Sequence, residues 1–152
     1  MSADPASAME YLKDPAAIYE KSFATIRAEA DLSELPESVR PMAVRLIHAC
    51  GMVDLVDDLR FSEDVTNWAR AALHDGCKVI TDCEMAAAGI IRRLLPASNT
   101  VVCTLNDPRT SLLAAQQETT RSAAAVGLWP EHLADAVVVI GNAPTALFAL
   151  LE

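Results

Sequence analysis

Apolar residues recur at helical spacing through the first half of the chain. Asp14-Pro15 has the pattern of a helix N-cap followed by a first helical residue. Gly51 follows a largely apolar run and is typical of a residue that ends a helix. Ser62 is in turn predicted to cap a helix that Gly76 ends. The predicted helices therefore span about 14–31, 36 or 37 to 50, and 62–76, with a short helical or extended connection at 52–61.

From Lys78 onward, short runs of β-branched residues replace the helical spacing. These runs are apolar without alternation, which is expected of strands that are covered on both faces. Strands that alternate with helices indicate a parallel, doubly wound sheet. The predicted strands are 78–82, 100–105 and 136–142, and the predicted helices are Glu84–Leu95, Arg109–Val126 and a shorter turn within 130–136.

Polar residues end each predicted strand, at Thr81-Asp82, Asn106-Asp107 and Gly141-Asn142. Ligands of open α/β sheets bind outside the carboxyl ends of the strands. Free backbone amides at the start of the last helix would suit a carboxylate or a phosphate. The alternative is a tight turn in which Asn142 is the helix N-cap. No glycine-rich nucleotide motif is present, so nucleotide binding has no specific support.

The composition narrows the functional classes. The chain has 152 residues, a net charge of −9 and 52% hydrophobic residues, so we expect one globular domain with a loose N-terminal arm at 1–13. The chain has no run of Lys or Arg of the kind that indicates nucleic-acid binding. Its N-terminal sequence does not have the pattern of a signal peptide. We expect no transmembrane helix. The four cysteines form no CxxC pair, which favours reduced thiols in a cytoplasmic protein over a metal site.

Three polar side chains lie where two interpretations are possible. His48 lies in a helix that is apolar nearly all round, so we expect this helix to be buried on most sides. His48 could then be a packed, hydrogen-bonded histidine or a proton-transfer group. The Ser22 hydroxyl could bond back to the Ile18 carbonyl or face a ligand. Arg121 could be a solvated helix charge or an anion clamp.

Five blocks, in this order and spacing, resemble the precorrin-8X methylmutase family of cobalamin biosynthesis. The blocks are IYEKSFATIRAEADL, RLIHACG, DPRT, TRSAA and VIGNAPTALFALLE, and the similarity runs from about residue 10 to residue 152. The resemblance implies a flavodoxin-like three-layer α/β/α fold preceded by N-terminal helices. It also implies a homodimer with active sites near the subunit interface.

The activity that the resemblance implies is migration of a methyl group from C-11 to C-12 of the corrinoid ring. The product is hydrogenobyrinate or its cobalt form, and the reaction requires no cofactor. The family's catalytic histidine corresponds to His48 and its substrate-contacting serine to Ser22. Because the tetrapyrrole carries many carboxylates and the protein is acidic, binding is expected to use local donors such as Arg27, Arg121 and the strand-end amides at Asn142.

The family continues beyond the block that ends at Glu152. We therefore expect this chain to be a shortened methylmutase without the family's C-terminal portion. The alternative function is a corrinoid-binding protein of the same fold that no longer turns the ligand over.

Overall fold

The computed structural model describes residues 11–152 and divides into two compact units, one that ends at Asp64 and one that runs from Val65 to Glu152. The expected loose arm at 1–13 lies almost wholly outside the described residues, and 11–13 have no regular secondary structure. The single domain stays a prediction, and each unit is described by itself.

Three helices form the first unit: α1 (Pro15–Glu29), α2 (Arg40–Cys50) and α3 (Leu55–Asp58). The predicted start of α1 is confirmed, because the Ala17 amide donates to the Asp14 carboxylate at 2.7 Å. The predicted end of α2 is also confirmed, since Gly51 closes it in the left-handed region with φ of 74°.

The second helix starts later than predicted. Helix α2 begins at Arg40 and not at 36 or 37, because residues 36–39 form a turn in which the Val39 amide donates to the Pro36 carbonyl. The Arg40 side chain stabilises this entry, since its Nε donates to the Leu35 carbonyl at 2.9 Å. These bonds hold a turn where the periodicity predicted helix.

Only one face of α2 is buried, and the prediction that the helix is buried on most sides is wrong. Ala43, Val44 and Ile47 are buried, whereas His48 is exposed and Leu46 is 39% exposed. Val44 and Ile47 pack with a buried isoleucine of α1, so the opposite face of α2 remains accessible.

A parallel three-stranded sheet forms the centre of the second unit, in the order β2-β1-β3. The parallel arrangement and the α/β fold are confirmed, although each strand is shorter than predicted. The strands are β1 (Val79–Thr81), β2 (Val101–Cys103) and β3 (Val137–Val139). All three residues of β1 are buried, as expected of a central strand.

Helices pack against this sheet, consistent with the expected three-layer arrangement. They enclose a buried cluster around Ile80 and Trp129. The Trp129 indole donates to Thr104 Oγ1 at 3.1 Å, which ties the residue after β2 to the core. The helices are α4 (Val65–His74), α5 (Glu84–Gly89), α6 (Pro108–Gln116), α7 (Arg121–Val126) and α8 (Pro144–Leu151), with 3₁₀ turns at Arg92–Leu94 and Trp129–Glu131.

Three helix boundaries of the second half were predicted wrongly. Helix α4 begins at Val65, because Asp64 has a φ of 59° that interrupts the helical backbone after Ser62. The helix predicted over 84–95 stops at Gly89, since Ile90 is extended. The helix predicted over 109–126 is divided into α6 and α7, because Glu118 has a φ of 50° and a new N-cap follows at residue 120.

Candidate functional site

Ser22 of α1 and His48 of α2 form a hydrogen-bonded pair. The Ser22 Oγ lies 2.8 Å from His48 Nδ1, so the hydroxyl contacts the imidazole and not the Ile18 carbonyl. Ser22 stands one helical turn before the buried Ile26, which anchors this part of α1 in the core of the first unit. Ser22 and His48, which the sequence analysis identified separately, therefore belong to one site.

The pair leaves the second ring nitrogen accessible to a ligand. Whichever partner donates the proton, Nδ1 is engaged, and Nε2 has no hydrogen-bond partner among residues 11–152. A neutral imidazole with one engaged nitrogen can present the other as a donor or an acceptor. The arrangement is thus suited to moving a proton at Nε2 of His48.

Two aromatic rings restrict the orientation of the imidazole. The centroid of the Phe23 ring lies 5.1 Å from that of His48 with an interplanar angle of 89°. The Tyr19 ring lies 5.3 Å away on α1. Edge-to-face and tilted contacts at these distances are favourable, so the ring is held by packing as well as by Ser22.

An open cavity of about 620 Å³ adjoins this pair in the first unit. Its volume falls within the range of roughly 300–1,000 Å³ that is usual for small-molecule sites. Its lining includes apolar side chains and a lysine beside the pair, among them Ser22, His48, Ile18, Ile47 and Lys21. Arg27, a predicted substrate contact, lies on α1 with its guanidinium carbon 5.8 Å from the Phe23 ring centroid.

The strand ends of the second unit are arranged differently. The Asp82 carboxylate, only 1% exposed, accepts bonds from the backbone amides of Gly141 at 3.1 Å, Asn142 at 3.0 Å and Ala143 at 2.7 Å. The prediction that these amides are free is wrong, because a carboxylate of the chain itself occupies them. Asn142 is not the N-cap either, since Ala143 holds that position.

Asp82 is the residue whose role the sequence analysis missed. Its position at the end of a predicted strand was visible, but its partners lie about 60 residues away in the chain. Burial by itself raises the pKa of this carboxyl, and the three backbone N–H bonds outweigh that effect, so the pKa lies below its ordinary value. The carboxylate is therefore held charged and fully bonded.

Arg121 also makes bonds within the protein. Its Nη2 donates to the Leu105 carbonyl and to Asn106 Oδ1, both at 2.7 Å, and Asn106 in turn donates to Glu84 at 3.2 Å. The Nε and Nη1 groups make no hydrogen bond within residues 11–152. Asn142 is exposed, and its side-chain amide likewise lacks a partner in that part of the chain.

Among residues 11–152, no group of three or more His, Cys, Asp or Glu side chains is arranged to hold a metal ion. Over the same range no helix has both the length and the apolar character that crossing a membrane requires. All four cysteines are free thiols.

Comparison with known sequences places the chain near one enzyme family. The family described as CbiC, precorrin-8X methylmutase, matches residues 17–152. A precorrin-8X methylmutase from Sinorhizobium sp. is 57% identical over 143 residues, which are 94% of this chain and 68% of that protein. One from Pseudomonas aeruginosa is 55% identical over 144 residues, covering 95% of this chain and 69% of the relative.

A solved structure agrees with the sequence matches. The crystal structure of precorrin-8X methyl mutase from Thermus thermophilus superposes with a TM-score of 0.78 at 34% sequence identity. The match covers 90% of this chain and 66% of that one. The chain therefore spans about two thirds of the length of these proteins.

Proposed function

The chain belongs to the precorrin-8X methylmutase family, and on that premise we propose that His48 performs the proton transfer of the family's reaction in this chain. The chain is accordingly an isomerase of cobalamin biosynthesis. The observation that supports the proposal is the 2.8 Å contact between Ser22 Oγ and His48 Nδ1 at the wall of an open cavity.

The reaction assigns a simple task to the imidazole. One carbon–carbon bond to the methyl group breaks at C-11 of precorrin-8X and another forms at C-12, with no net gain or loss of atoms. Any proton that His48 gives to the ring system must therefore return within the same turnover. A histidine near neutral pH can act in both directions, and Nε2 is the atom that is accessible for it.

Ser22 is a positioning residue in this proposal. Its hydroxyl engages Nδ1 and so fixes the orientation of the ring relative to the cavity. The aromatic contacts of Phe23 and Tyr19 restrict the same rotation. A general acid or base contributes most when its reacting atom is held in place, which gives these contacts a catalytic consequence.

Arg27, Arg121 and Asn142 are proposed as contacts to the polar periphery of the tetrapyrrole. Arg27 forms no ion pair within residues 11–152. Arg121 retains Nε and Nη1 as donors, and Asn142 retains its side-chain amide. A carboxylate is the complementary group for each of them.

Incubation of the purified protein with precorrin-8X tests the function. Catalysis predicts the absorbance change that accompanies formation of hydrogenobyrinate, with a rate proportional to enzyme concentration. Binding without spectral conversion would contradict the enzyme and would support a corrinoid-binding protein. Absence of both would contradict the tetrapyrrole as ligand.

We also propose that the protein is a homodimer. The support is the apolar surface of the first unit, where Ile18 is 44% and Tyr19 55% exposed. Sedimentation should show a dimer at micromolar concentration, and a monomer alone would contradict this proposal.

A cytoplasmic location is proposed as well, because all four cysteines are free thiols and none of them is paired. Fractionation of the source cells should find the protein with soluble cytoplasmic markers, and recovery outside the cytoplasm would refute the location.

A further inference from the structure

Two guanidinium groups lie beside the same aromatic ring in the first unit. The guanidinium carbon of Arg27 is 5.8 Å from the Phe23 ring centroid, and that of Arg45 is 5.7 Å from it. Both distances are within the range of about 6 Å at which a cation is attracted by a ring face. The ring thus holds two positive charges that come from different helices, α1 and α2.

Neither of these cations is neutralised by a partner. The chain has 21 acidic and 12 basic residues. Neither Arg27 nor Arg45 forms an ion pair with a carboxylate of residues 11–152. The Phe23 surroundings are therefore a local positive site on an acidic protein.

The Phe23 ring links the two cations to the proposed proton-transfer group. Phe23 packs against the buried cluster of Ile26, Val44 and Ile47, and its ring meets that of His48 edge to face at 5.1 Å. One rigid ring is consequently in contact with both guanidinium groups and with the imidazole. A ligand held by the arginines would therefore lie near His48.

We propose that Arg27, Phe23 and Arg45 form a carboxylate-binding subsite that orients the corrinoid against His48, with Arg45 as a substrate-positioning residue. The inference rests on the proposed function, since it takes the acidic tetrapyrrole as ligand. Guanidinium groups bind carboxylates through two parallel N–H bonds, and the flat ring offers an apolar surface beside them. Carboxylates at the edge of an apolar macrocycle match this combination.

The test is titration of the full chain with hydrogenobyrinate, followed by its absorbance. Arg45→Gln and Arg27→Gln should each raise the dissociation constant about tenfold, as expected for loss of one charge-assisted contact. Arg70→Gln is the matched control, because this arginine is exposed on α4 and has the same charge change. It should alter the dissociation constant by less than about twofold.

Turnover separates positioning from catalysis. The Arg45→Gln variant should show a raised KM for precorrin-8X with kcat within about threefold of wild type, since uniform binding affects KM alone. Raising the salt concentration should weaken binding by the wild type more than by the variant, because exposed charges are screened. Arg45→Lys keeps the charge but loses the planar fork, and its affinity should lie between those of wild type and Arg45→Gln.

The possible outcomes distinguish failure of the proposed function from failure of the carboxylate-binding subsite. A wild-type protein that neither binds hydrogenobyrinate nor converts precorrin-8X contradicts the proposed function. Normal wild-type binding together with equal dissociation constants for Arg45→Gln and Arg70→Gln overturns the subsite alone. If Arg45→Gln does not fold by circular dichroism, then Arg45→Lys and Arg27→Gln supply the answer, and wild-type affinity in both would overturn it.

Discussion

The first unit and the strand ends of the second unit treat their polar groups in opposite ways. On α1 and α2, Ser22 engages one nitrogen of His48 and leaves the other accessible beside a cavity. At the end of β1, Asp82 takes up three backbone amides of the turn before α8. The first arrangement leaves a group for a ligand, and the second consumes groups that looked available.

This contrast shows that the type and position of a polar residue do not by themselves identify a binding site. Asn142 and Arg121 stand where ligands bind in open α/β sheets, yet the backbone amide of Asn142 and the Nη2 group of Arg121 are already bonded inside the protein. His48 stands on a helix that looked like core and is exposed. Whether a polar residue can bind a ligand depends on how many of its donors and acceptors remain after its bonds within the protein are counted.

Asp82→Ala removes the internal bonds at the strand ends of the second unit and should have the largest effect of the substitutions considered. Three backbone amides, that of Ala143 in a buried bond, would lose a charged acceptor, so we expect the free energy of unfolding to fall by about 3 kcal/mol. Urea denaturation measures it. Asp107→Ala, which removes a half-buried N-cap of α6, is the control and should cost less. Equal losses in both variants would mean that Asp82 is no more than an ordinary cap.

Ser22→Ala tests whether the hydrogen-bonded pair of the first unit contributes to catalysis. Loss of the bond to Nδ1, worth about 1–1.5 kcal/mol, should lower kcat about tenfold and leave the dissociation constant for hydrogenobyrinate within about twofold. Steady-state kinetics with precorrin-8X provide the measurement. Thr25→Val, which removes a hydroxyl that bonds within α1, is the matched control. A change in affinity without a change in kcat would make Ser22 a ligand contact and not a positioning residue.

Acid stability tests the charge state of Asp82. Because its pKa is lower when folded, its contribution to stability is present above the ordinary carboxyl pKa of about 3.9 and is lost as the pH falls through the lower folded value. Thermal melts of wild type and Asp82→Asn should differ most above pH 5 and converge as the pH falls below 4. A difference that is constant over this range would contradict the depressed pKa.

Arg121→Gln should have the smallest effect. Because Nη2 already binds the Leu105 carbonyl and Asn106, only part of the guanidinium is available to a ligand. We expect the dissociation constant for hydrogenobyrinate to rise about threefold, less than in Arg27→Gln. An effect larger than that of Arg27→Gln would reverse the contrast between the two regions.

Features set by neighbouring residues were predictable from the sequence. Asp14-Pro15 and Gly51 marked helix ends correctly, because capping depends on residues within one turn. Contacts between distant residues were not predictable by these rules. The Ser22–His48 bond joins residues 26 apart, and the Asp82 bonds join residues 59 to 61 apart.

Helix interruptions lie between the predictable local features and the unpredictable long-range contacts. Glu118 takes a φ of 50° and divides the helix that was predicted over 109–126, although glutamate itself favours helices. The family resemblance supplied the pairing of His48 with Ser22 as site residues. The local pattern alone allowed a packed histidine and a serine bonded to its own helix, so the geometry was needed to bring the two side chains together.

The most direct test of the central claim is a single-turnover experiment with His48→Asn, with the enzyme in excess over bound precorrin-8X. Proton transfer at His48 predicts that the rate of methyl migration falls by at least about 10²-fold. The variant should still bind hydrogenobyrinate within about tenfold of wild type, since it loses about one hydrogen bond. A variant that is less stable but converts precorrin-8X at the wild-type rate per folded molecule would contradict the claim and would make His48 a packing residue.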